Sequence, residues 1–200
     1  MLNRRPSLQC GFTLIELLIT VAVLGIVLMI ALPNMGTWIQ NTQIRTSAEA
    51  MQNGLMLARA EALKRNTTVR FQLVSDLSST CTYSDTGRNW VVSLNDASGA
   101  CDAGASDTTA PFIIQKRSGM EGSPNAEVSA TGGSTVLFSG LGRAMAGSLT
   151  EINVRNTVNG ACKTPAGNEP MRCLRVTVSP GGGVRMCDPA VNEATDPRMC

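Results

Sequence analysis

The feature that most constrains this chain is a run of 22 residues near its start, Phe12 to Pro33 (FTLIELLITVAVLGIVLMIALP), holding a single charge, Glu16. As a helix rising ~1.5 Å per residue it spans about 33 Å, enough to cross a hydrocarbon core of ~30 Å. Arg4 and Arg5 precede it. Such a pair stays cytoplasmic, which sends everything after the run to the other side of the membrane. A secretory signal has a shorter apolar core followed by a small-x-small cleavage site. Nothing of that kind follows at Pro33-Asn34.

Glu16 is the anomaly, because a carboxylate inside a spanning helix is costly unless it is paired or protonated. It lies four residues after Phe12, about one helical turn. The plain account is a glutamate near the interface that reaches water. The sharper one is pairing with a cation brought by another chain, and a free α-amine made by cutting after Gly11 would be such a cation.

Histidine is absent, which removes the usual general base and the usual neutral metal ligand. Ser-His-Asp and Cys-His enzymes are thereby excluded. Arg4 and Arg5 account for the whole net charge of +2, so the chain from Phe12 onward is balanced and is not a bulk binder of polyanions. No nucleophile–base pair, phosphate-cradling Gly loop or paired-carboxylate pattern stands out. Asp96, Asp102 and Asp107 share a loop, but their spacing does not match a calcium loop with ligands at alternate positions, and a solvated loop accounts for them.

Beyond Pro33 the helical pattern continues. Ile44, Ala48, Met51, Leu55, Ala58 and Ala62 recur at intervals of three and four, flanked by Arg45, Glu49, Gln52, Arg59, Glu61 and Arg65. One apolar stripe of this kind packs on the protein's own sheet. Asn66 and the β-branched Thr67-Thr68 end it. From Thr67 the period changes to two: Val69, Phe71 and Leu73 alternate with Arg70 and Gln72. Further strands are predicted at Trp90–Leu94, Pro111–Lys116, Thr135–Phe138, Leu149–Val154, Leu174–Ser179 and Gly183–Met186, with a Gly-rich hairpin turn at Pro180–Gly183. Residues 75–88 and 95–110 read as surface loops. The sum is an α+β chain: a long N-terminal helix, one half transmembrane and one half amphipathic, packed on antiparallel β-sheet.

Of seven cysteines, Cys10 falls before the cut and six remain, Cys81, Cys101, Cys162, Cys173, Cys187 and Cys200. An even set in an exported domain implies disulfides, with 15 connectivities open. The sequential pairing Cys81–Cys101, Cys162–Cys173, Cys187–Cys200 is preferred, since each closes a local loop containing Gly, Pro or Asp. With no CxxC pair and no histidine, no metal site or cofactor is read from the chain.

The segment Gly11-Phe12-Thr13-Leu14-Ile15-Glu16-Leu17 resembles the class III signal of type IV pilins and type II secretion pseudopilins. Ala58–Asn66 leading into Thr67–Val74 resembles the GspH/FimT branch, the minor subunits of these filaments. The resemblance implies a pilin fold divided into a leader (1–11), a transmembrane and filament-core helix (12–33), its amphipathic continuation (34–66) and a periplasmic or extracellular β-rich domain (67–200). It implies that a prepilin peptidase cuts between Gly11 and Phe12 and N-methylates Phe12. It further implies that Glu16 neutralises the Phe12 amine of a neighbouring subunit and that Gly25 and Pro33 loosen the helix. The partners implied are other major and minor pilins or pseudopilins and an inner-membrane assembly platform, with the chain held as a single-pass inner-membrane protein before it enters the filament.

A second implication concerns DNA. Residues 155–185 hold five basic side chains (Arg155, Lys163, Arg172, Arg175, Arg185) against one acid, Glu169. FimT-type subunits of some transformable bacteria, which resemble this chain, bind DNA through a C-terminal Gly-Arg-x-Arg motif, and the corresponding residues here read Gly182-Gly183-Val184-Arg185. Arg175 and Arg185, expected on an exposed face, are the DNA-binding candidates by that resemblance. The first arginine of the motif is replaced by Gly183.

Overall fold

The computed structural model describes residues 12–156, 158 and 160–200, and of residues 30–34 the backbone only. One helix, α1, runs from Leu14 to Arg65. The chain divides into two compact units, one ending at Gly36 and the other Thr37–Cys200.

In the first unit Thr13 caps the helix: its Oγ1 accepts the Glu16 N–H at 3.3 Å, and its carbonyl accepts the Leu17 N–H at 3.2 Å. Every large apolar side chain from Phe12 to Met29 is at least 48% exposed. Among the described residues no helix is long and apolar enough to cross a membrane. The side chains of Ile30–Pro33, the last part of the apolar run, lie outside them.

In the second unit the helical stripe is buried. Ile44, Ala48, Met51, Leu55, Ala58 and Ala62 are all at most 1% exposed. Gly54 sits beside that stripe because a side chain would not fit: a Cβ there would stand 2.8 Å from the Phe71 ring and 3.1 Å from Trp90. The helix ends on a Schellman motif. Asn66 takes the left-handed conformation (φ 49°), donating to the Leu63 carbonyl at 3.4 Å, while Thr67 donates to the Ala62 carbonyl at 3.2 Å.

Among the described residues, eight strands follow in two four-stranded antiparallel sheets. The first has the order β3 (Ile113–Arg117), β2 (Asn89–Ser93), β1 (Val69–Val74), β5 (Thr135–Phe138). The second has the order β4 (Glu127–Thr131), β6 (Glu151–Arg155), β7 (Leu174–Val178), β8 (Val184–Cys187). β4 was not among the strands expected. Its sequence, EVSAT, offers only Val128 and Ala130 to the core. Phe71, Leu73, Trp90, Val136 and Phe138 from the first sheet, Ile152, Val154 and Val176 from the second, and the helical stripe share one hydrophobic core.

The outer face of the first sheet departs from simple alternation. Gln72, read as a polar, outward residue, is fully buried. The loops on either side of β2 fold over it and enclose a second small core of Val74, Cys81, Val91, Ala97, Cys101 and Ile113, closed by the Cys81–Cys101 disulfide. These segments are a cover for the sheet as well as surface loops. The Gln72 amide is fully satisfied beneath them: Nε2 donates to Tyr83 Oη (2.9 Å) and Asp96 Oδ1 (3.1 Å), and Oε1 accepts from Ser93 Oγ and the Ala97 N–H, both at 3.1 Å. Two further disulfides join Cys162 to Cys173 and Cys187 to Cys200.

Candidate functional site

Gly11 lies outside the described residues, so the geometry of the sequence-predicted assembly site begins at Phe12, whose side chain is 84% exposed. Thr13 and Glu16 stand as first and last members of a T-x-x-E pattern, which places Glu16 in the first helical turn, where an anion is favoured by the unpaired N–H groups and the helix dipole. Among the described residues the Glu16 carboxylate has no ion pair and no hydrogen-bond donor. Gly25 has no atom within 4 Å of where a Cβ would stand. Pro33 falls within α1, its side chain among those not described.

The arginines considered for DNA share the outer face of the second sheet, since Arg175 and Thr177 alternate on β7 and Arg185 lies opposite Thr177. They are differently engaged. Arg175 is 30% exposed; its Nε donates to Asn153 Oδ1 at 2.8 Å and its Nη1 stands 3.5 Å from Glu151 Oε2. Arg155 pairs with Glu127 at 2.9 Å. The basic excess of residues 155–185 is thus offset by acids on β4 and at the start of β6, strands that lie beside these arginines only in the fold. Arg185 is exposed and donates to the Met199 carbonyl at 2.6 Å. Gly182 adopts φ 80° at the hairpin turn and is packed so closely that a Cβ would lie 1.8 Å from the Gly142 carbonyl oxygen.

The loop aspartates are dispersed. Asp96 serves Gln72 and the Ser98 N–H, and Asp107 pairs with Arg65 at 2.8 Å. Among the described residues no three acidic or sulfur ligands gather as a metal site would need. Burial drives the Tyr83 phenol up, helped by the neighbouring Asp96 carboxylate, to about 12. For Asp96 burial pulls upward, but hydrogen bonds from Tyr83, the Ser98 N–H and Gln72 outweigh it, and the carboxyl lies below its ordinary range.

A model of the family described as type II transport protein GspH matches residues 47–182. The chain belongs to the GspH family. The prokaryotic N-terminal methylation motif matches residues 6–32, across Phe12 and Glu16. Two crystal forms of the type IV minor pilin FimU of Pseudomonas aeruginosa (strain PAO1) are similar in structure. One is 13% identical, covers 72% of this chain and 87% of FimU, and has a TM-score of 0.45. The other is 15% identical, with coverages of 71% and 90% and the same TM-score. No curated protein sequence matches the chain. As a GspH-type minor pilin or pseudopilin with a methylation motif, the protein is a structural subunit of a type IV pilus or a type II secretion system, membrane-anchored and in contact with other pilins. Its architecture, a long helix against antiparallel sheets, is the pilin fold.

Proposed function

We propose that this GspH-type subunit primes or caps its filament. In this reading Met1–Gly11 is a leader removed by prepilin peptidase, which N-methylates the new terminus at Phe12. The segment 12–33 then holds the subunit in the inner membrane as a single pass, with the β-rich domain in the periplasm, until the assembly platform draws it into a pilus or pseudopilus. The observation that carries this reading is the combination in one helix of an apolar run exposed from Phe12 through Met29 and a carboxylate at Glu16 with no partner among the described residues. Each needs a partner from outside the subunit. Lipid or neighbouring helices cover the first, and the Phe12 amine of an adjacent subunit meets the second. A carboxylate without a cation would be strongly unfavourable once the helix enters an apolar filament core.

Glu16→Ala should leave membrane insertion intact and abolish recovery of the subunit in sheared filaments. Normal incorporation of that variant would overturn the charge-pair mechanism. The nucleic-acid reading has weaker support: Arg175 is occupied by Glu151 and Asn153, leaving Arg185 as the exposed member of the pair.

A further inference from the structure

We infer that the outer edge of β8 accepts an extended segment of a neighbouring pilin subunit as an added strand, with one apolar side chain of that segment seated in the groove beside the edge. The inference rests on the assembly reading, which supplies the partner.

The edge is open by strand register. Val178 donates its N–H to the Thr150 carbonyl at 2.8 Å, away from β8, so its partner in β8, Val184, belongs to a pair that exchanges no hydrogen bonds. The main-chain N–H and C=O of Val184 therefore point out of the sheet, and those of Met186, two residues on, do the same. Asp188 continues the alternation: its N–H donates outward to the Arg198 carbonyl at 2.8 Å, and it bridges Met199 in parallel. The C-terminal tail thus begins a fifth strand. It does not extend it along Met186 and Val184, because Asp196 donates back to the Glu193 carbonyl at 2.9 Å in a turn and Pro197 has no N–H to give. Among the described residues nothing bonds the outward main-chain groups of Val184 or Met186. The β5 edge of the first sheet is closed by the chain itself: the Leu137 and Thr135 carbonyls accept the N–H groups of Met145 and Leu149, both at 2.9 Å.

A groove of about 500 Å³ lies between this edge and the start of the domain's helix. Its apolar lining is Trp38, Leu174, Met186 and Cys187. Its charges cancel, since Arg45 pairs with Glu49 at 2.8 Å, Arg172 with Asp188 at 3.1 Å and Arg198 with Asp196 at 2.6 Å. A neutral groove with an apolar floor takes an apolar side chain rather than an ion. Residues paired across adjacent strands point to the same face, and Met186 packs toward the core. The residue of the incoming strand opposite Met186 therefore turns its side chain into the groove, on the side of Trp38, which is 66% exposed. The added strand continues the ladder that the tail opens at Asp188. Main-chain bonds at Val184 and Met186 supply affinity, and the groove supplies selection.

Hydrogen exchange at single-amide resolution tests the pairing, on the full chain in mild detergent and on the same chain in sheared filaments. In the free subunit the Val184 and Met186 amides should exchange fast. In filaments both should slow by about a hundredfold, while Arg185 and Cys187, already bonded to β7, should change little. Slowing of all four alike would mean burial under a neighbour's surface without strand pairing, and would overturn the inference. A subunit absent from filaments overturns the assembly reading and this one together. A subunit present there with Val184 and Met186 unprotected overturns this one alone.

Thr42, exposed on the helix and lining the groove, allows a second measurement. Thr42→Trp fills the groove and should cut recovery of the subunit in filaments by about tenfold, with membrane insertion and unfolding midpoint as in the parent. Thr42→Val leaves the groove open and should be recovered normally. Parental recovery of the Trp variant, or equal loss of the Val variant, would overturn the assignment of the groove.

Discussion

Leu18 and Leu55 are the same residue type on the same helix, yet Leu18 is 59% exposed and Leu55 fully buried. Around Leu55 the apolar residues form one stripe with Arg, Glu and Gln on the other faces, and the protein's own sheets cover it. Around Leu18 the apolar residues surround the helix, and every large one from Phe12 to Met29 is exposed. A stripe defines a fold within the chain. An all-round apolar surface defines a requirement for surroundings that the chain does not supply.

The contrast is sharpened most by a pair of alanine substitutions. Leu55→Ala should lower domain stability by about 2–5 kcal/mol, the cost of lost burial plus a cavity. Leu18→Ala should change it by less than about 0.5 kcal/mol. Denaturant midpoints of the full chain in mild detergent measure both, and equal effects would dissolve the distinction. A smaller effect comes from Gly54→Ala. Helix propensity alone would favour alanine by ~1 kcal/mol, but the new methyl would meet the Phe71 ring at 2.8 Å. Overpacking of this kind typically costs ~1–3 kcal/mol, so the net should be destabilising. A rise in the midpoint would mean that the ring can move aside. The same change at Gly25, where no atom stands within 4 Å, should show the propensity gain without the clash.

The smallest effect is on titration. Tyr83 is the only tyrosine, so absorbance near 295 nm reads it directly. In the native protein it should ionise near pH 12, and in the denatured protein near 10. Because folding favours the protonated phenol, its stabilising contribution is complete below pH 10 and disappears as the pH rises through 12. A native titration near 10 would mean that the loops over the first sheet do not close on Gln72.

How much of this was legible in the sequence differed by region for physical reasons. The helical stripe was fully readable because its period is regular over six positions, and the helix end was readable because Asn66 tolerates left-handed backbone. Seven of the eight strands announced themselves by alternation or β-branched runs, whereas β4 shows the core only a valine and an alanine. The burial of Gln72 was hidden, since period-two reasoning assigns a face but not what lies against it. Cysteines at 81 and 101, one in each loop beside β2, were the available sign that those loops are drawn together. At the functional surfaces, Phe12 and Glu16 form a local pattern that a linear reading recovers. The partners of Arg155 and Arg175 are not local, because Glu127 and Glu151 meet them only through strand register.

The disulfides have a mechanical consequence. Cys81–Cys101 secures the cover of the first sheet, and Cys162–Cys173 and Cys187–Cys200 secure loops and tail of the second; none of them joins one sheet to the other. The seam where the sheets meet is held by side-chain packing and by hydrogen bonds, among them the Ala130 N–H to the Asp85 carbonyl at 2.7 Å and the Leu149 N–H to the Thr135 carbonyl at 2.9 Å, with no disulfide across it. Force along a filament would therefore shear that seam while each half kept its covalent skin, and a reducing environment would fray the periphery first.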